Sequence, residues 1–173
     1  MHNTDLALAM RQGMRRLASG VCILSTRVNH QERFAMTVSS VTSVSDDPPS
    51  LLVCVNQQIS LRGHLEVLGC PFAVSILSQE QQRVSNVCAG FEPVHDRFSV
   101  GRWQEGPEAI PYLQDSEAIF FCKTDQVTTY GTHHILIGRI EDVLVSENKA
   151  SPLLYHDGGY NHLAGRDSGA KNH

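Results

Sequence analysis

Residues 34–56 read FAMTVSSVTSVSDDPPSLLVCVN, and the architecture follows from how this stretch is parsed. Phe34 to Val41 is a strand, and between Thr37 and Ser45 six of nine residues carry a hydroxyl. Two readings of those hydroxyls stay open. They form a solvent-facing strand edge, or they mark a strand end whose N–H groups and hydroxyls hold a polar, planar ligand. Ser45-Asp46-Asp47-Pro48-Pro49 is a turn, because neither proline can donate to a ladder. The strand Leu51 to Asn56 follows it, apolar on both faces and therefore central.

Upstream, VCILSTRV (residues 21–28) is rich in β-branched residues, and polar Asn29 to Glu32 turn it back onto Phe34 to Val41 as a hairpin. Asn3 or Thr4 can cap a helix that starts at Asp5. Leu6, Met10, Gly13 or Met14, and Leu17 give it one apolar stripe, with Arg11, Arg15 and Arg16 mostly off that stripe, and Gly20 ends it. Downstream, Ser60 to Leu68 reads as a short helix on the spacing of Leu61, Leu65 and Leu68. Pro71 precedes a strand, Phe72 to Leu77. Ser78 caps a second helix, Gln79 to Cys88, and the loop Ala89-Gly90-Phe91 leads into a long polar stretch that reaches Ser116. Glu117 to Val127 and His133 to Val145 are strands. Alternation breaks around Gly138, which predicts a bulge or a close backbone approach there. Roughly six strands and three short helices without βα alternation predict a mainly β fold, an antiparallel barrel closed on itself with helical inserts.

Composition sets outer bounds. The chain has 173 residues, 41% hydrophobic and 18% charged, which suits one domain, here residues 1–163 followed by a flexible tail, 164–173. Fourteen basic against eighteen acidic side chains leave a net charge of −4, which argues against a sequence-independent nucleic-acid binder. No apolar run approaches the roughly 20 residues of a membrane span, and MHNTDLALAM lacks the basic flank of a secretory signal. The five cysteines have no CxxC spacing, and most sit in apolar contexts and read as small buried hydrophobes in a reducing cytoplasm. GxGxxG, GxxxxGK[ST] and GxSxG are missing. His133 and His134 point to opposite faces of one strand and His156 and His162 have no cysteine partner, so no metal site is expected. Asn56-Gln57-Gln58-Ile59-Ser60 precedes a predicted helix and reads either as a plain Ser60 cap or as a phosphate contact. Gly131-Thr132-His133 opens the last long strand, and His133 is either a rim or core histidine or a functional one.

Taken together and in order, AMTVSSVTSVSDDPPSLLVCVN, CPFAVSILSQEQQRVSNVCAG, DRFSVGRWQEGPEAIPYL and GTHHILIGRI resemble the flavin reductase-like family over residues 10 to 160. The resemblance is to reductase components of two-component flavin-dependent aromatic hydroxylases, the 4-hydroxyphenylacetate 3-monooxygenase type. It implies a split β-barrel that binds FMN or FAD as a homodimer, takes a hydride from NADH or NADPH, and releases reduced flavin to a separate oxygenase. On this resemblance Thr37, Val38, Ser39 and Ser40 meet the polar edge of the flavin ring. Val38 and Ser39 stand where many relatives have Ala-Asn. Asn56, Gln58, Ile59 and Ser60 match the phosphate segment, Cys88, Ala89 and Gly90 match the loop that lets backbone approach the ring, and His133 matches a histidine beside the nicotinamide. The segment PLLYHDGGY departs from a stretch richer in arginine, which leaves Tyr155 to Tyr160 without an assigned contact. Two other readings remain: a pyridoxamine-phosphate-oxidase-like enzyme on a similar barrel, and a non-enzymatic FMN- or haem-binding barrel.

Overall fold

The structure is a computed structural model that describes residues 3–28, 31–58, 63–148 and 150–164. In chain order, helix α1 (Asn3–Met14) leads to strands β1 (Ser19–Gly20), β2 (Cys22–Val28), β3 (Glu32–Val38), β4 (Val41–Asp46), β5 (Pro49–Asn56) and β6 (Pro71–Ile76). A 3₁₀ turn runs into α2 (Gln82–Cys88). Then come β7 (Trp103–Glu105), β8 (Pro111–Leu113), β9 (Ala118–Tyr130), β10 (His133–Val145), β11 (Leu154–His156) and β12 (Gly159–Asn161).

Seven strands form one antiparallel sheet in the order β3-β2-β6-β9-β10-β5-β4. Its two outermost strands, β3 and β4, are consecutive in the chain and are joined only by Ser39 and Ser40. Two residues span a few ångströms at most, so the sheet has to curl until its edges nearly meet. The barrel expected from the residues is therefore split. β3 and β4 do not pair, and the seam between them lies at the hydroxyl-rich switch. Ser40 ties that switch down: its Oγ donates to the Cys54 carbonyl and accepts from the Cys54 N–H, both at 3.1 Å, which extends the β4–β5 ladder by a side chain.

The barrel interior is filled by alternate residues of the strands, among them Leu24, Val38, Leu51, Val53, Val55, Phe72, Val74 and Leu136. The opposite face of β2 is buried as well, because Val21 and Ile23 pack under α2 with Leu77, Val84, Cys88 and Leu113. This double burial explains why VCILSTRV is apolar without alternation. β5 lies between β10 and β4 as expected, although its outer residues Leu52 and Cys54 are only half-buried. The β9–β10 pairing shifts register at Ile137/Gly138 and again at Ile140/Asp142, and Phe72 presses against Gly138, so the bulge and the close approach both occur.

Four expectations are corrected. Residues 63–69 are turns rather than the end of a helix from Ser60 to Leu68, since Gly63 and Gly69 take positive φ values of 81° and 80°. Residues 59–62 of that stretch lie outside the described residues, as does the tail beyond 164. α1 stops at Met14 rather than Gly20. The polar stretch before Ser116 contains the β7–β8 hairpin, whose Ile110 and Leu113 are buried. The sheet has seven strands rather than about six because Val41–Asp46 forms a strand of its own, β4, and Pro49 already belongs to β5, so the turn expected over Ser45 to Pro49 shrinks to Asp47 and Pro48.

No helix among the described residues is long and apolar enough to cross a membrane. All five cysteines are free. Burial pushes the thiols of Cys22 and Cys122 up to about 12, and those of Cys70 and Cys88 up to about 11. Cys54 is only half-buried. At about pH 8 a thiol-reactive disulfide is therefore expected to label Cys54 quickly and the other four only on unfolding. More than one fast equivalent refutes this assignment. Because the folded values lie above the ordinary thiol value of 9.0, the neutral thiols contribute stability below that pH. The contribution fades as pH rises toward the folded values.

Candidate functional site

A cavity of about 230 Å³ opens at the seam, beside the Ser39-Ser40 switch. Three elements build it. β3 and the switch supply Thr37, Val38 and Ser39; α2 and its exit supply Ser85, Ala89 and Phe91; and the β11–β12 hairpin supplies Tyr155 and Tyr160. The hydroxyls are linked across it. Thr37 Oγ1 donates to the Ser85 carbonyl at 2.7 Å, and Ser85 Oγ lies 2.8 Å from the Tyr160 hydroxyl. The Tyr155 and Tyr160 rings meet edge to face, 5.5 Å between centroids.

The switch itself offers donors. Among the described residues, the backbone N–H groups of Ser39 and Ser40 have no hydrogen-bond acceptor in the protein. They sit beside a largely apolar cavity with aromatic walls. That combination fits a flat heterocycle with a polar edge, which would bury its faces and accept hydrogen bonds along one side.

The cavity wall is braced from behind. Asp96 accepts from the Phe98 N–H at 2.9 Å and Phe98 packs on Trp103 at 4.6 Å. Arg97 Nη1 donates to the Ala35 carbonyl on β3 at 2.8 Å and reaches the Cys88 carbonyl at 3.5 Å. The DRF segment thus ties the loop after α2 to the strand that carries Thr37.

The sequence-derived residues separate into two groups. Thr37, Val38, Ser39 and Ala89 line the cavity, and Ser40 lies next to it in an adjoining groove. Gly90 follows Ala89. Its φ of 80° ends α2, with its N–H donating to the Val87 carbonyl at 3.1 Å, and nothing crowds its missing Cβ, so turn geometry rather than close approach requires glycine there. The Cys88 side chain is buried in the core under α2 rather than exposed to the cavity.

Asn56, Gln58 and His133 form a separate ledge at the end of β5. Asn56 stands opposite His133 in the ladder and its Oδ1 accepts from the Gln58 N–H at 2.9 Å. His133 is exposed, with Nδ1 2.9 Å from Thr132 Oγ1. The ledge does not line the cavity. Ile59 and Ser60 lie outside the described residues. His134 faces inward instead, buried, with Nε2 3.0 Å from Glu66 and Nδ1 2.9 Å from Thr129 Oγ1. Among the described residues no cluster of three or more His, Cys, Asp or Glu side chains could hold a metal ion.

Tyr155 and Tyr160, left unassigned by the sequence, prove to be cavity walls. Their signal was present in His156-Asp157-Gly158-Gly159. Asp157 and Gly158 take φ of 51° and 82°, the two-residue turn that Asp-Gly favours. That turn pairs Tyr155 with Tyr160 across the hairpin. Ser85 and Phe91 carried no comparable signal, because each becomes a wall only when α2 docks on β3.

The model of the flavin reductase like domain matches residues 14–164, most of the chain. The protein belongs to the flavin reductase-like family. A reductase component of an FADH(2)-dependent resorcinol hydroxylase from Rhizobium sp. is 37% identical over 153 residues, covering 87% of this chain and 83% of that one. An FMN reductase (NADH) RutF from Variovorax paradoxus is 34% identical over 154 residues, covering 89% and 84%. Among solved structures, the flavin reductase component BorF of a bacterial two-component tryptophan halogenase superposes with a TM-score of 0.80 at 30% identity, covering 92% of this chain and 99% of that one. In this family member, the seam of the split barrel coincides with the TVSS stretch.

Proposed function

We propose that this flavin reductase-like protein is an NADH:flavin oxidoreductase that reduces FMN or FAD and releases the product to a separate oxygenase. The observation that carries the reading is the cavity at the barrel seam, where aromatic and aliphatic walls meet the N–H groups of Ser39 and Ser40, which have no acceptor among the described residues. When bound there, flavin supplies the two-electron acceptor for a hydride from reduced nicotinamide.

The chain's own part is positioning. Ser39 and Ser40 donate along the polar edge of the ring and favour the negative charge that reduction places on it. Ala89 and Phe91 bury its faces, and Val38, whose side chain lies in the barrel core, borders the cavity beside the Ser39-Ser40 switch. The linked Thr37, Ser85 and Tyr160 hold α2 and the β11–β12 hairpin at fixed spacing, so that the walls do not collapse onto the ring. Asn56, Gln58 and the segment through Ser60 are assigned to the phosphate end. His133 is assigned to orient the nicotinamide, not to carry a proton. The cavity has no ionic clamp, since no charged side chain lines it among the described residues. An uncharged, open cradle suits a flavin that has to leave after each turnover.

Mixing the protein with FMN and NADH should consume NADH catalytically. A yellow but inert complex supports storage instead, and a Soret band with added haem supports a haem protein. His133→Ala should lower NADH oxidation by about 10-fold or more while flavin affinity stays within about twofold. Unchanged turnover removes His133 from the site.

The working unit is assigned as a homodimer in the cytoplasm. α1 exposes Leu6, Met10 and Met14, and the following turn exposes Leu17, each more than half accessible. A second copy is the occupant that the reading puts on this stripe, with the groove between α1 and the Ser39-Ser40 switch left open at the junction of the two copies. Light scattering that finds only monomer at micromolar concentration counts against it.

A further inference from the structure

The groove that adjoins the cavity contains two arginines to which the reaction, as proposed, gives no role. It measures about 680 Å³, and Ser39 and Tyr155 line both spaces, so the groove begins where the cavity ends. Arg11, in the last turn of α1, and Arg15, just after it, line one wall. The Arg15 N–H donates to the Arg11 carbonyl at 3.1 Å, which keeps the two side chains on one side of the chain, flanking the apolar stripe of Met10, Met14 and Leu17. Ser19, Ser39, Ser40 and Thr42 supply hydroxyls around the same groove, and no acidic residue lines it among the described residues. Arg16, one position away, is paired with Asp157 at 3.8 Å, whereas Arg11 and Arg15 form no ion pair among the described residues.

Two like charges one helical turn apart repel. The negative end of the helix dipole offsets part of this repulsion, and an anion between the two guanidinium groups would offset the rest. Guanidinium forks match phosphate oxygens in geometry as well as in charge. We propose that Arg11 and Arg15 form an anion subsite for the phosphate-bearing arm of the nucleotide whose ring occupies the adjoining cavity. The inference rests on the reading that the cavity takes a flat ring. FMN has one phosphate, so its capture in this groove would replace the assignment to Asn56 to Ser60, whereas a nicotinamide dinucleotide in the groove would leave that assignment standing. The shared chemistry is a phosphate ester, carried either by the flavin nucleotide or by the nicotinamide dinucleotide.

Equilibrium titrations with riboflavin, FMN and NADH separate these sources. They should be run on the wild-type protein, on R11Q/R15Q and on R11K/R15K, with circular dichroism to confirm folding. In R11Q/R15Q the affinity for the ligand whose phosphates reach the groove should fall about tenfold or more, and riboflavin affinity should stay within about twofold. R11K/R15K should recover much of the loss, because the charge is kept although the fork is not. A loss for FMN alone places the flavin phosphate in the groove, and a loss for NADH alone places the dinucleotide there. FMN and NADH affinities unchanged in R11Q/R15Q, or weakened no more than riboflavin, overturn the subsite. If the wild-type protein binds neither riboflavin nor FMN, the cavity reading fails and takes the subsite with it.

Discussion

Replacing Ala89 with tryptophan is expected to leave a folded protein that no longer reduces flavin. Ala89 closes α2 in ordinary right-handed conformation, φ −79° and ψ −11°, so its backbone accepts any L-residue. It is exposed and lines the seam cavity. An indole placed there competes with the flavin ring for a space of about 230 Å³. Even a ring displaced by about 1 Å loses on the order of 10²-fold in rate, and exclusion costs at least that much. Ala89→Trp should therefore lower kcat/KM for FMN by about 10²-fold or more while the circular dichroism and the thermal midpoint stay near wild type. Ala89→Ser, which adds one small atom, should keep most of the activity. Flavin titration decides the case: a tryptophan variant that binds FMN as tightly as wild type removes the ring from this cavity.

The contrast between Ala89 and Tyr155 shows what the sequence could reveal. Strand identities were legible wherever one face is buried and the other is not, as in β10, whose limits His133 and Val145 agree with the structure. Gly138 was legible because a glycine inside an apolar strand gives up side-chain packing, a loss that a bulge or a close backbone approach makes necessary. The hydroxyl run from Thr37 to Ser45 stood out in the sequence, but the residues alone left a solvent-facing edge and a ligand-holding strand end equally open, and only the family resemblance singled out Thr37 to Ser40. Two of those hydroxyls, on Thr37 and Ser40, hold structural bonds to Ser85 and Cys54. The seam was not legible from the residues alone. It follows from strand order, and strand order depends on pairings between segments far apart in the chain, such as β6 with β9. Leu61, Leu65 and Leu68 suggested a helix, but Gly63 and Gly69 bend the chain there, and Leu65 enters the core while Leu68 stays exposed. Ser85 was hidden for a similar reason. It looks like any polar residue of a short helix, yet it is fully buried because Thr37 and Tyr160 reach it from two other elements. Arg11 and Arg15 read as the solvent face of a helix, and only the curl of the sheet brings Ser39 and Ser40 opposite them.

Gly138→Ala tests the curl itself. A Cβ built at this position would lie 2.5 Å from Phe72 Cζ, 3.2 Å from Phe72 Cε1 and 3.1 Å from Cys122 Cβ. Phe72 is 1% exposed and sits in the main core with Leu24, Val74 and Leu136, so its ring has little room to retreat. Overpacking of this kind costs about 1–3 kcal/mol. For a chain of this length that lowers the thermal midpoint by about 2–4 °C per kcal/mol. Gly20→Ala is the matched control, since nothing lies within 4 Å of its Cβ, and it should shift stability by less than about 0.5 kcal/mol. If the penalty is steric, trimming the ring relieves it: the combination of Gly138→Ala with Phe72→Leu should be less destabilised than the sum of the two single changes. The consequence for function follows from topology. Gly138 lies at a register shift in the β9–β10 wall, midway between the two sheet edges that meet at Ser39 and Ser40. Pushing Phe72 away from β10 changes the curvature of that wall and with it the width of the seam. Gly138→Ala should therefore weaken flavin binding as well as stability, even though it touches no cavity residue. Additive stabilities in the double variant, or a melting point equal to that of the Gly20→Ala control, show that this contact does not shape the barrel.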